Sequence, residues 1–171
     1  RNYGSKIEGN KYGDGKWRFM TFDMDYTMGA GWGGVGPDTD NFQKVMSKNK
    51  DSPTNLFVAL FKNDEFKKKF AKVYCDYANE VMNIDRIKEM VSRYKEENTD
   101  LVAYSQLRWW GADSKVEGYS HWKSNYINAL DNIQRFFENR ARSTLQHMKQ
   151  HFGLKGELNE FITDLFLLLS V

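Results

Sequence analysis

Nine of the 13 glycines in this chain lie between Gly4 and Gly36. The sequence beyond them is built of long side chains, with apolar positions recurring at three and four residues. Glycine costs a helix interior about 1 kcal/mol relative to alanine, so the front of the chain is expected to hold turns and strands and the back to be helical. At 171 residues and 20.1 kDa there is material for one domain with a real core. The 25 basic and 23 acidic side chains leave a formal charge of +2, too small a field to suggest a nucleic-acid clamp or a polybasic membrane anchor. The longest apolar stretch, Leu165 to Leu169, is far short of the roughly 20 residues a membrane span needs. A lone cysteine, Cys75, excludes an internal disulfide framework and a cysteine-rich zinc module. No segment near Arg1 resembles a signal peptide, which says little about export in a chain that does not open on methionine.

Between the Gly13, Asp14, Gly15 turn and Asp23 runs Lys16, Trp17, Arg18, Phe19, Met20, Thr21, Phe22, bulky residues that predict a strand. It ends in Asp23, Met24, Asp25, and Gly29, Gly31, Gly33, Gly34 and Gly36 then surround Trp32 in a loop. No Gly-x-Gly-x-x-Gly is present, so that loop reads as a turn rather than a phosphate cradle.

Helix signals follow in series. Ser52 and Pro53 open a short helix through Leu56, Ala59 and Leu60. Asn63 or Asp64 caps a second, with Phe66, Phe70, Val73, Tyr74, Tyr77 and Val81 as its apolar stripe and Lys67, Lys68 and Lys69 as a solvated face. Asn83 or Asp85 opens a third through Ile87, Met90, Val91 and Tyr94. The polar run Glu96 to Asp100 predicts a break, with Leu101, Tyr104 and Leu107 on a fourth helix ending near Arg108. Ser120 is expected to cap a run through Trp122, Tyr126, Ile127, Leu130, Ile133 and Phe137. A further helix carries Leu145, Met148 and Phe152 before Gly153 stops it. The expected division is therefore a strand and glycine-loop region over 1–36, a helical region over 52–153, and an apolar tail over 154–171. Within that tail, Leu165 to Val171 are expected to pack as a final strand or helix, or to mediate self-association.

Two carboxylates at a strand exit, Asp23 and Asp25, offer the hard oxygen ligands that suit Mg²⁺ or Mn²⁺. The plainer alternative has Asp25 capping a turn and Asp23 accepting backbone hydrogen bonds. Other sites are less developed. His147 and His151 lie four apart on one helix without a zincin glutamate or a third ligand, which favours packing. Ser120 and His121 are adjacent and cannot pair as nucleophile and base. Arg108 reads as an ion-pair anchor in the helical core. Trp109, Trp110 and Trp32 fall in or beside predicted loops, where an aromatic surface for a protein or glycan partner is the non-enzymatic alternative.

Two families share the aspartate string. Asp23, Asp25 and Thr27 match the Asp-x-Asp-x-Thr of haloacid-dehalogenase-like phosphatases, in which Asp23 is the nucleophile and Asp25 the acid and base. That family needs strands alternating with helices downstream, and the sequence after Gly36 reads as helical. The broader resemblance is to the CotH kinase family, the spore coat protein H type of atypical protein kinase. Asp14, Gly15, Lys16, Trp17, Arg18 leading to Asp23, Asp25 and Gly29 resemble its Gly-Lys-Trp-Arg strand and Asp-x-Asp. Asn55 to Phe57, Leu60 to Phe66, Arg108 with Trp109, and Phe136, Asn139, Arg140, Leu145 and Phe152 resemble its later segments.

The resemblance implies the helical C-terminal lobe of a protein-kinase-like fold, mainly α with a small N-terminal β portion. It implies that Asp23, then Asp25, hold Mg²⁺ or Mn²⁺ against the phosphates of ATP, with a protein as phosphoacceptor. Only 22 residues precede Asp23. The catalytic residues and the nucleotide-covering lobe are therefore expected upstream of Arg1, and the isolated chain is expected to be inactive. A spore coat or cell-surface location follows by the same resemblance, and a non-catalytic coat or surface module is the competing reading.

Overall fold

The computed structural model describes residues 9–11, 13–14, 27–29, 35–47, 54–110, 115–153 and 155–168, with only the backbone of 115–117, 166 and 168. Six helices make up most of these residues: α1 (Asn41–Met46), α2 (Thr54–Leu60), α3 (Asp64–Glu80), α4 (Ile84–Trp110), α5 (Lys115–His151) and α6 (Glu157–Leu168). The described residues contain no strand. The strand expected over Lys16 to Phe22 lies outside them.

Caps set the helix starts. Asn63 Oδ1 accepts from the Phe66 amide at 3.1 Å and Asn83 Oδ1 accepts from the Asp85 amide at 2.9 Å, so in each expected pair the asparagine is the cap. Sequence reasoning missed α1. Asp40 caps it by accepting from the Gln43 amide at 3.0 Å, and Asp at the cap with Gln three residues on is a readable signal.

The main core gathers Phe42 of α1, Phe61 after α2, Ala71 and Cys75 of α3, Leu145 and Met148 of α5, and Ile162 of α6. Phe61 and Phe152 meet edge to face at 4.6 Å, a preferred aromatic geometry. Burial, with the Asp76 charge beside it, pushes the Cys75 thiol up to about 11. The α3 stripe is rotated from its expected position. Phe66, Phe70 and Tyr74 pack on the core, but Val73, Tyr77 and Val81 are exposed and the buried line is Ala71, Cys75, Ala78. Small residues let α5 and α6 approach α3 closely, and that spacing outweighs side-chain bulk in choosing the inward face. Lys67 is also less solvated than expected. It pairs with Asp64 at 2.8 Å with its side chain only 13% exposed.

Three expected boundaries do not exist, one of them the division between the run ending at Phe137 and the helix carrying Leu145 and Met148, which are all on α5 because no glycine or proline interrupts it there. The break at Glu96 to Asp100 is absent, and α4 runs unbroken for 27 residues. That polar run contains no glycine or proline, and the Thr99 hydroxyl donates to the Lys95 carbonyl within the helix. Ser120 is likewise no cap. It sits exposed inside α5, which begins at Lys115 and runs for 37 residues. Gly153, with φ +59°, follows the end of α5 as expected.

Antiparallel α4 and α5 pack along each other, and no comparable contact joins α4 to another helix. A second core of Ile87, Val91 and Leu130 holds the base of this pair. Farther out the contacts become polar, with Lys95 on Asp131 and both Tyr119 and Lys123 on Asp100. The region after Gly156 packs as α6 through Leu158 and Ile162; of the stretch from Leu165 to Val171, Leu165 packs on the core, Leu167 is exposed, and residues 169–171 lie outside the described ones. No helix among the described residues is long and apolar enough to cross a membrane.

Candidate functional site

Asp23 and Asp25 lie outside the described residues, as do Gly31, Trp32, Gly33 and Gly34. What the structure describes is the segment that leads from them into the helices. Met28 and Gly29 form a turn with φ of +57° and +83°. The left-handed region is free to glycine but costs methionine roughly 1–2 kcal/mol, so this turn holds local strain at Met28, the residue after Thr27. A Cβ on Gly29 would meet Phe136 of α5 at an ordinary 3.7 Å, so its backbone angle rather than crowding calls for glycine.

Farther along, the Thr39 amide donates to the Gly36 carbonyl at 3.1 Å, closing a turn around Pro37. Arg140 of α5 grips that turn. Its Nη1 donates to the Pro37 carbonyl at 2.9 Å and to the Thr39 carbonyl at 2.8 Å, across more than a hundred residues of sequence. The guanidinium lies 5.9 Å from the Phe136 ring centroid, which supports it from one side. From α3, the Tyr74 hydroxyl donates to the Arg140 carbonyl at 3.4 Å.

Asp40 completes the attachment. One carboxylate oxygen caps α1, and the other lies 2.6 Å from His151 Nε2. Burial opposes ionisation of Asp40, but the hydrogen bonds from His151 and from the Gln43 amide outweigh it and hold the carboxyl below its ordinary range. The His147 and His151 pair is thereby explained in part. His151 ties the end of α5 to the start of α1 and lies against the Phe42 ring at 6.1 Å.

Arg108 does not sit in the helical core. It is exposed near the end of α4, with its guanidinium 5.7 Å from the Trp109 ring centroid. Trp109 and Trp110 end that helix, each 74% exposed. Arg140, by contrast, carried only a resemblance in sequence, and its grip on Pro37 and Thr39 had no local signal. Among the described residues no group of three His, Cys, Asp or Glu side chains is gathered to hold a metal ion. The donor set offered by Asp23 and Asp25 is two carboxylates, which fits Mg²⁺ or Mn²⁺ by its chemistry.

The described residues thus form a mostly helical body whose entry segment is held to α5 by Arg140 and by the Asp40–His151 pair. Compared with known protein families, the chain matches the one described as CotH kinase protein over residues 2–144. The chain belongs to that family. The matched stretch spans Asp23, Asp25, α1 to α4 and all of α5 up to Thr144, leaving α6 beyond it. No curated protein and no solved structure matches the chain. Among the described residues no strands alternate with helices after Gly36, which the haloacid-dehalogenase-like reading requires.

Proposed function

We infer that this chain forms the metal-binding and helical part of a CotH-type atypical protein kinase, whose activity is ATP-dependent protein phosphorylation. The carrying observation is the family match, which extends across both the Asp-x-Asp and the helices behind it. In this reading the helices form the helical lobe of a kinase-like fold. Asp23 is the first metal ligand and Asp25 the second, holding Mg²⁺ or Mn²⁺ beside the nucleotide. The bound ion supplies charge neutralisation at the phosphates, which phosphoryl transfer needs more than covalent help. The chain's own contribution is placement. Arg140 and His151 hold Pro37, Thr39 and Asp40, at the entry to the helices, against α5. A protein is the phosphoacceptor, and the spore coat or cell surface is the setting the family suggests.

A second reading, a non-catalytic coat or surface module, is favoured by the exposure of Trp109 and Trp110. Magnesium-dependent ATP binding separates the two. It should be measured on the 171-residue chain alone and together with the sequence encoded ahead of Arg1. The kinase reading expects binding in the longer form that is lost in Asp23→Ala. Absence of binding in both forms, or binding indifferent to Asp23→Ala, supports the module instead.

A further inference from the structure

Phe136 and Arg140 stand four residues apart on α5, so their side chains share one face of that helix. Two stretches from the front of the chain meet on this face. A Cβ placed on Gly29 would come 3.7 Å from Phe136 Cδ2 and 3.9 Å from the Val35 carbonyl oxygen, so Gly29 touches both the ring and the chain six positions ahead of it. The turn that follows Val35 is held by Arg140 through the Pro37 and Thr39 carbonyls. The guanidinium lies 5.9 Å from the Phe136 ring centroid, so the two side chains make one continuous support.

Gly29 and Val35 therefore form a neck, with one side seated on Phe136 and the other on Arg140. Between them the sequence reads Ala30, Gly31, Trp32, Gly33, Gly34. Glycine populates both signs of φ readily, so such a sequence selects no single path by itself, and the approach of Gly29 to Val35 has to be set from outside. Met28, with φ +57°, adds to this. A left-handed residue other than glycine persists where its surroundings over-determine it, and the seat of Gly29 on α5 is beside it.

Asp25 precedes Gly29 by four residues, so chain length alone keeps it within about 14 Å of the neck. A divalent ion takes its oxygen ligands at roughly 2.0–2.6 Å, and the residues behind the ligands keep them at such distances. We propose that Phe136 and Arg140 are positioning residues for the cation held by Asp23 and Asp25: by seating both sides of the neck on α5 they set where the carboxylates are presented. The proposal rests on the metal reading above and adds to it the two residues of the helical body that serve it. Neither touches the ion.

Mn²⁺ affinity with ATP present, read by electron paramagnetic resonance with the sequence encoded ahead of Arg1 included, tests this at a temperature where circular dichroism shows each variant folded. Arg140→Gln and Phe136→Leu should each weaken Mn²⁺ binding by about tenfold, the lower end of what losing a supporting residue costs a metal site. Arg140→Lys, which keeps the charge and a donor, should recover part of that loss. Ile87→Ala opens a cavity in the separate core between α4 and α5; it controls for lost stability and should bind Mn²⁺ as the parent does.

Affinity unchanged in Arg140→Gln and Phe136→Leu, while Asp23→Ala still weakens it, overturns the positioning role and leaves the metal ligands standing. Affinity unchanged in Asp23→Ala as well, or no Mn²⁺ bound by the parent, removes the ligands and this proposal with them. An equal loss in Ile87→Ala would show general destabilisation and also overturns it. If the α5 variants do not fold, hydrogen exchange of the unaltered longer form decides, because coupling between two sites is reciprocal. Adding Mg²⁺ to the ATP-bound form should slow exchange of the Val35, Gly36 and Thr39 amides by at least about fivefold, and unchanged exchange contradicts the proposal.

Discussion

Arg140 uses one nitrogen to satisfy two carbonyls, those of Pro37 and Thr39, at 2.9 and 2.8 Å. Hydrogen bonds from a charged donor contribute about 1.5–3 kcal/mol each, and removing the donor leaves two half-buried acceptors without it. Arg140→Ala should therefore lower stability by roughly 2–4 kcal/mol in a denaturant titration, allowing for partial replacement by water. Asparagine at position 139, exposed on the next step of α5, is the comparison: Asn139→Ala should change little. A loss at position 140 no larger than that at 139 would show that the turn around Pro37 is held by something else. This residue-scale detail was the least legible in the sequence. Arg140 stands in a helix among other charged residues, and nothing local distinguishes an arginine that reaches a turn a hundred positions away from one that faces water. Asp40 was legible in principle, because its spacing to Gln43 is a capping pattern, but the six-residue α1 it opens is too short to show an apolar period.

At the scale of elements, the apolar spacing located α2, α3 and the base of α4 along the chain, and the asparagine of each Asn-or-Asp pair starts α3 and α4, whereas Ser52 and Pro53, expected to open α2, lie outside the described residues. Polarity alone does not stop a helix here. Glu96, Glu97 and Asp100 interrupt the apolar pattern because that part of α4 faces only one neighbour, so fewer apolar residues are needed to hold it. The same reasoning covers Ser120 in α5. Helix continuity there comes from the absence of breakers and from a partner helix, neither of which a cap search weighs. The stability of the pair should accordingly fall along its length. Hydrogen exchange should be slowest around Ile87, Val91 and Leu130, where a core holds the helices, and faster by about tenfold or more from Leu101 to Trp110. Uniform protection along α4 would show that its outer half is held more firmly than its polar contacts imply.

For the molecule as a whole, the sequence indicated a mostly helical body behind a glycine-rich front, and the helical part stands as expected. Family membership was legible because the Asp-x-Asp, Asn55 to Phe57 and the later segments occur in order over a long stretch, and the match over residues 2–144 agrees with it. What the sequence could not convey is how the front is fixed to the back. That depends on Phe136, Arg140 and His151, spaced along one face of α5 and meaningful only when the chain returns to them. The account turns on Asp23 and Asp25 as the grip for a divalent ion. Manganese binding followed by electron paramagnetic resonance, with ATP present and with the sequence encoded ahead of Arg1 included, addresses this without requiring turnover. The account predicts a bound Mn²⁺ signal that weakens by at least about tenfold in affinity in Asp23→Ala, the loss of about 1.4 kcal/mol or more expected of a direct carboxylate ligand. Equal Mn²⁺ affinity in the parent and in Asp23→Ala would contradict it.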